Sequence, residues 1–322
     1  MNSIVVGVLR GGPSYEYDVS LRSGTEVINA LSDRYQCKDI FISKDGVWHL
    51  DGIAYTPTQI LKKVDVVFNA LHGEYGEDGK VQKILDDHMI PYTGSKALAS
   101  AVGMNKAQTK DILRKYGIRM PVHMVLKKED VSSEKVRDVF RTFPQPSVVK
   151  PVWGGSSCGV YFVQTEQELV QALTKAFAYA EKVIVEEYIE GKEATCGVID
   201  AFRGEDRYTT IPSEIIYTGA NVWGYESKYD DALHTISSSG RFTSAESDEL
   251  RRVTQDVHDI LGCRHYSRSD FIVHPKRGVY FFEANTHPGL TRTSLLPHAL
   301  AEAGSDMSEF VVHIIQQALD SE

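Results

Sequence analysis

The stretch YSRSDFIVHPKRGVYFFEANTHPGLTRTSL, Tyr266 to Leu295, constrains the chain more than any other. Two runs rich in β-branched and aromatic residues, YSRSDFIV and GVYFFEAN, flank HPKRG, whose proline and glycine turn a chain. The pattern predicts a β-hairpin followed by a loop and a helix start. With the turn centred between Lys276 and Arg277, Asp270 stands opposite Glu283, and Arg268 opposite Asn285. Side chains alternate along a strand, so Arg268 and Asp270 share a face, as do Glu283 and Asn285. Two carboxylates placed opposite each other repel unless a cation lies between them. A hard divalent ion meets that need: Mg2+ takes one or two carboxylates, completes its shell with water and phosphate oxygens, and could draw a neutral oxygen from Asn285. On this stretch alone, an ordinary charged hairpin face or a different register is the alternative.

At 322 residues the chain has room for two or three domains. Its formal net charge of −9 argues against non-specific binding to nucleic acid or an anionic membrane, which needs a basic surface. Cys37, Cys158, Cys196 and Cys263 have no paired spacing, which suits a reducing compartment rather than a zinc site or a disulfide framework. MNSIVVGVLRGGP reads as a first strand, and no signal peptide or span-length apolar segment is seen, so the cytoplasm is the expected location.

SIVVGVL has the continuous apolar character of a strand buried on both faces of a parallel sheet. Gly11 and Gly12 turn the chain, and a helix is predicted from about Val19 to Leu31. Strand, Gly-turn and helix in that order put Glu16 at the carboxyl end of a strand, where open α/β sheets bind ligands. There Glu16 holds a substrate ammonium or simply complements the helix dipole. Thr56, Pro57 and Gln59 form a capping box that opens a short helix. The strand DVVFNAL follows, and LHGEYGEDG places His72 beside the same crevice, where many histidines merely satisfy a loop carbonyl. Two helices follow, the second with Lys106 at its start and ending at Gly117; a lone lysine at such a place is most often solvated.

In SVVKPVWGGSSCGVYFV two strands flank a Gly/Ser loop whose backbone N–H groups can wrap phosphate oxygens, with Lys150 adding a point charge; a plain hairpin loop is the alternative. Thr165 and Glu168 cap a further helix, KVIVEEYIEG is a strand leaving that unit, and Glu193 beyond it could accept from a ribose hydroxyl; an exposed charged connection is the alternative. Residues 203–243 lack clear periodicity and read as a long loop of lid type, with Lys228 and Tyr229 within it. Helices are expected from Ser244 to Leu261, from near Thr293 and Ser294, and from about Ser308 to Leu319.

Taken in order, GGPSYEYDVSL, ALHGEYGEDG, PYTGSKALASAVGMNKAQTK, VVKPVWGGSSCGV, EEYIEGKEAT, YESKY, RSDF and EANTHPGLTRTSL resemble the D-alanine:D-alanine ligase family of the ATP-grasp superfamily, nearly end to end. The resemblance implies an α/β, three-domain ATP-grasp fold with an N-terminal Rossmann-like (preATP-grasp) domain. Its divisions would be residues 1–95, 96–187 and 188–322, with ATP gripped between the last two. Lys106, Lys150 and Lys228 would hold its phosphates under Gly155, Ser156 and Ser157, and Glu186, Tyr188, Ile189 and Glu193 would receive adenine and ribose. Asp270, Glu283 and Asn285 match the ligands of two Mg2+ ions, with Mn2+ as a substitute.

On the same resemblance Glu16, with His72 nearby, would orient the first D-alanine. Ser156 and Tyr229 would join Glu16 in a network that holds the lid shut. Arg268 and Gly289 would stabilise the oxyanion, and Ser294 and Leu295 would bind the second D-alanine. The implied activity is ATP-dependent formation of D-alanyl-D-alanine through an acyl phosphate, for peptidoglycan precursors, by a cytoplasmic homodimer acting on small molecules. A ligase using D-lactate or another acceptor is the nearest alternative. A non-catalytic nucleotide-binding regulator is the more distant one, and such a protein would be expected to have lost the metal ligands or Arg268. Gly154, Tyr17 and Glu187 depart from the family's usual acidic, basic and lysine residues, and TISSSGRF lacks its frequent Pro-Ala pair. These departures bear on nucleotide affinity and lid contacts, not on the metal set.

Overall fold

Val6, Val8 and Leu9 of the first strand, β1 (Ile4–Gly11), are wholly buried because the strand lies inside a sheet covered on both faces. Its parallel neighbours are β2 (Tyr35–Ile42) and β5 (Val66–Asn69), and β3 (Trp48–Leu50) and β4 (Ile53–Tyr55) extend the β2 edge antiparallel. The computed structural model describes residues 4–31, 34–155, 159–217, 234–237 and 241–321. One face of this sheet packs with the helices Pro57–Leu61 and Lys80–Asp87 through Ile60, Leu61, Val81 and Leu85. The capping box on Thr56 and Gln59 is present as the sequence predicts. The helix Tyr17–Ala30 and the last helix, Met307–Asp320, cover the other face.

That second face is continuous with the C-terminal part of the molecule. Val6, Val8 and Phe68 share one core with Tyr266, Leu290, Leu296, Phe310 and Ile314. Phe310 is fully buried there, with its ring edge-on to Tyr266 at 5.2 Å. Phe310→Ala is expected to lower unfolding stability by about 3–5 kcal/mol, read as a shift of the urea midpoint, because the surrounding layers can close only partly on the cavity. A shift below about 1 kcal/mol would mean that the two parts do not depend on each other.

The second sheet is antiparallel, in the order β6 (His123–Lys127), β9 (Lys182–Glu187), β7 (Ser147–Pro151) and β8 (Tyr161–Val163). It has its own core, built with the helices Ser133–Thr142 and Glu166–Ala176 from Val139, Val149, Leu169, Leu173 and Val185. The third sheet runs β13 (His234–Ser237), β12 (Ser213–Tyr217), β10 (Lys192–Phe202), β14 (Tyr266–His274) and β15 (Gly278–Asn285), with β11 (Glu205–Thr209) paired to β10. β11, β12 and β13 fall where the sequence reads as irregular. The helices Ala97–Met104, Lys106–Arg114 and Ser244–Ile260 pack on this sheet, where Leu113, Ile118, Leu250 and Val253 meet Phe271 and Phe281.

The hairpin β14–β15 pairs Asp270 with Glu283 and Arg268 with Asn285, as expected. The turn centre is one half-step away from its expected place: His274 pairs with Gly278 and Phe271 with Phe281, which centres the turn on Lys276. A β-bulge between Asp270 and Phe271 takes up Phe282 as an extra residue on β15 and restores the predicted pairs beyond it.

Candidate active site

The carboxyl ends of β1 and β5 and the end of β15 meet at one place. Glu16 precedes the helix Tyr17–Ala30, and its backbone N–H donates to Ser14 Oγ at 3.0 Å. Its carboxylate lies against two glycines: a Cβ on Gly73 would stand 2.6 Å from Glu16 Oε2, and one on Gly155 would stand 3.5 Å from it. Gly73, at φ +70°, is therefore required both by conformation and by close approach. The second contact brings Gly155 to the Glu16 end of the crevice.

His72 is 2 % exposed, with Nε2 at 2.8 Å from Ser23 Oγ and Nδ1 at 3.3 Å from Glu77 Oε1. Ser23 Oγ also accepts the Leu290 N–H at 3.2 Å, so His72 is tied through it to the loop after β15. Burial pushes the Glu77 carboxyl up; the His72 bond opposes this, and the Glu16 carboxylate adds repulsion. The His287 ring lies 5.9 Å from that of His72 and donates from Nε2 to the Asn69 carbonyl.

The hairpin end is anchored on Asp270, which is 4 % exposed. Its Oδ1 accepts from Thr195 Oγ1 at 2.7 Å and Arg268 Nε at 2.8 Å; its Oδ2 accepts from Arg268 Nη2 at 2.8 Å and Asn285 Nδ2 at 3.4 Å. Among the described residues no group of three or more His, Cys, Asp or Glu is gathered as for a metal held by protein alone. Two carboxylates at facing strand positions with an amide beside them instead fit Mg2+ that takes the rest of its shell from phosphate and water.

Between the hairpin and the second sheet, Glu186 Oε1 lies 3.0 Å from Lys110 Nζ and its Oε2 2.7 Å from Lys150 Nζ, with all three residues 1 % exposed. Burial alone would push the Glu186 carboxyl up, but the two ammoniums outweigh it and hold the group down at about 2. Lys150 Nζ also sits 4.0 Å above the ring of Phe282, the bulge residue. Lys106, first residue of its helix, donates from Nζ to the Gly154 carbonyl and from its backbone to Val152 O, so the loop's start is held by the helix's start.

Beyond Glu186 the chain crosses to the third sheet. Tyr188 donates its N–H to Pro146 O at 3.0 Å and meets Phe162 edge-on at 5.0 Å; Ile189 is buried, and Glu193 is half-buried in β10 opposite Ile272 and Ile215. Glu187, the departure from lysine, accepts from Arg277 Nη1 at 2.7 Å and so joins this crossing to the hairpin turn. At the far end of the crevice Ser294 stands at the N-cap of the helix Leu295–Glu302. Its Oγ accepts the Thr291 N–H at 3.2 Å rather than capping that helix, and it would be 2.9 Å from a Cβ on Gly289.

The expected residues thus fall into linked groups: Glu16 with Gly155, and with Gly73, the neighbour of His72; Lys150 with Glu186; Lys106 with the start of the Gly/Ser loop; Arg268 with Asp270, Glu283 and Asn285; and Gly289 with Ser294 and Leu295. Ser156, Ser157, Lys228 and Tyr229 lie outside the described residues. Lys110 touches Glu186, and Ser23, Glu77 and His287 touch His72; none of the four stands out in the sequence. Lys110 follows Lys106 by four residues, which puts both on one helix face, but that spacing alone does not tell a buried lysine from a solvated one.

The site's edges carry a pH dependence of stability. Burial, with Arg264 for His265 and with His72 for His287, brings both imidazoles down to about 3. The unfolded chain takes up protons there near pH 6.5 and the folded protein does not, so this stability is complete above pH 6.5 and is lost as pH falls toward 3. The melting temperature is expected to drop between pH 6.5 and about 4, and less steeply in His265→Asn, a residue that tolerates the φ of 68° found at that position. Equal slopes in the two proteins would remove His265 from this account.

The sequence models for the D-ala D-ala ligase N-terminus and C-terminus match residues 5–59 with 52–95, and 112–316, respectively. The D-alanine–D-alanine ligase of Pelotomaculum thermopropionicum is 33 % identical over 99 % of this chain and 98 % of its own length. Among solved structures, the D-alanine–D-alanine ligase of Bacillus anthracis complexed with ATP superposes with a TM-score of 0.77 at 30 % identity, covering 98 % of this chain and 97 % of that one. The VanG D-Ala:D-Ser ligase of Enterococcus faecalis superposes at 0.84 with 27 % identity, covering 98 % of this chain and 100 % of that one.

Proposed function

The chain belongs to the D-alanine–D-alanine ligase family and is an ATP-dependent ligase joining two D-alanines for the cell wall, and we propose that the groups described above carry that reaction. The observation that supports this most is the facing pair Asp270 and Glu283 beside Arg268, set next to buried lysines at the foot of a Gly/Ser loop. Glu16 holds the ammonium of the first D-alanine and points its carboxylate at the γ-phosphorus of ATP. Lys106, Lys150 and Lys228 hold the phosphates, while Gly155, Ser156 and Ser157 cover them. Tyr188, Ile189, Glu186 and Glu193 receive adenine and ribose. Asp270, Glu283 and Asn285 would hold two Mg2+ ions, or Mn2+ in their place, which supply charge neutralisation as the phosphoryl group moves.

Attack of the carboxylate oxygen on the γ-phosphorus expels ADP and leaves an acyl phosphate. A second D-alanine, carboxylate at Ser294 and Leu295 and amine unprotonated, then attacks the acyl carbon. Arg268, fixed by its two bonds to Asp270, and the backbone at Gly289 stabilise the oxyanion until phosphate leaves. Ser156 and Tyr229 close over Glu16 and keep water from the acyl phosphate. Residues 1–95, 96–187 and 188–322 act as three domains, ATP lying between the last two, in a cytoplasmic homodimer. Among the described residues no helix is long and apolar enough to cross a membrane.

D-Alanine labelled with 18O in its carboxylate tests the order of steps. One labelled oxygen is expected in the phosphate released with dipeptide formation; unlabelled phosphate would exclude the acyl phosphate. Likeness to a D-Ala:D-Ser ligase keeps a second acceptor in view, and the choice of acceptor is a separate measurement from the route.

A further inference from the structure

Lys110 is buried beside a carboxylate that it shares with Lys150. One carboxylate, Glu186, sits between two ammoniums, with Oε1 at 3.0 Å from Lys110 and Oε2 at 2.7 Å from Lys150. Glu186 by itself does not match the two ammoniums, in a place where each of the three residues is 1 % exposed. A buried unbalanced charge is costly, and such sites are kept where something bound supplies the counter-charge. Glu283, across the gap on β15, also attracts Lys110; in the reading proposed above it is a metal ligand, which leaves the phosphates of ATP as the counter-charge for the lysines. Lys110 also stands four residues after Lys106 on one helix, a like-charge spacing that disfavours the helix unless an anion lies near. Lys106 itself reaches the start of the Gly/Ser loop at Gly154.

We infer that Lys110 is a nucleotide-positioning residue: by neutralising Glu186 it leaves the Lys150 ammonium, which shares that carboxylate, to act on the phosphates of ATP. The inference rests on the reading of this crevice as the ATP site and adds a residue to it. Lys110 touches Glu186 rather than the nucleotide, so its action passes through the shared carboxylate. Removing it leaves Lys150 and Glu186 as a one-to-one pair. The pair is electrically balanced, so the protein keeps its fold, but the pull on phosphate is lost.

The test compares wild type, Lys110→Met and Lys110→Arg for binding of a non-hydrolysable ATP analogue with Mg2+ and of adenosine, by calorimetry, with melting temperature alongside. Lys110→Met is expected to keep its melting temperature, bind adenosine as wild type does and bind the triphosphate at least about 10-fold more weakly. Lys110→Arg is expected to recover part of that loss. Unchanged triphosphate binding in a folded Lys110→Met protein would overturn the inference, and so would an equal loss for adenosine, which would make Lys110 a prop for the adenine pocket. Because binding is measured without turnover, a wild-type protein that binds the analogue but makes no dipeptide would count against the ligase reading and leave the inference about Lys110 standing.

Discussion

Glu283→Gln is expected to abolish ligation while the protein remains folded. The change keeps the side chain's shape and removes the charge that faces Asp270, so the hairpin keeps its pairing and loses half of its anionic metal set. Asp270→Asn is expected to be equally inactive but less neutral structurally. Asp270 accepts both Arg268 bonds and that of Thr195, and an amide cannot accept all of them. Each bond lost to a charged partner is worth about 1.5–3 kcal/mol, so its urea midpoint should fall where that of Glu283→Gln does not. Turnover measured with Mg2+ at saturating ATP and D-alanine decides the matter. Wild-type turnover in either folded variant would remove the metal from these residues.

Arg268→Ala is expected to lower kcat by about 100-fold or more, the usual cost of a lost oxyanion donor. The guanidinium is held by Asp270 through Nε and Nη2 at 2.8 Å each, so its direction is fixed before substrate arrives. Lysine cannot reproduce that two-pronged hold, and Arg268→Lys should recover little. A transition-state role predicts that kcat and kcat/KM fall together while the KM for D-alanine stays near its wild-type value. A defect confined to KM would make Arg268 a ground-state binding group.

The most informative part of the sequence was the hairpin, and it was legible for a partly compensating reason. Alternation placed Asp270 opposite Glu283 from an assumed turn centre. The real turn is tighter, and the bulge at Phe282 makes up the difference. Bulges leave no signature in apolar alternation, and the extra residue here is one aromatic among several. Lys150 was legible from a strand beside a Gly/Ser loop, and Lys106 only through the family resemblance, since a lone lysine at a helix start is most often solvated. Lys110 was not, because a lysine on an amphipathic helix reads as solvated, and only the approach of β9 buries it against Glu186. β2, β3 and β4 escaped because Tyr35–Ile42 mixes charged and apolar residues and the next two strands have three residues each. Glu77 was hidden in an acidic loop, its role set by a fold that turns it back on His72 five positions earlier.

Product identification tests the central claim most directly. The protein is incubated with ATP, Mg2+ and either D-alanine alone, D-alanine with D-lactate, or L-alanine, and the products are identified by mass spectrometry. D-Alanyl-D-alanine formed from D-alanine alone, one ADP per dipeptide, with no product from L-alanine, is the expected result; no dipeptide from D-alanine in a protein that binds ATP would contradict it.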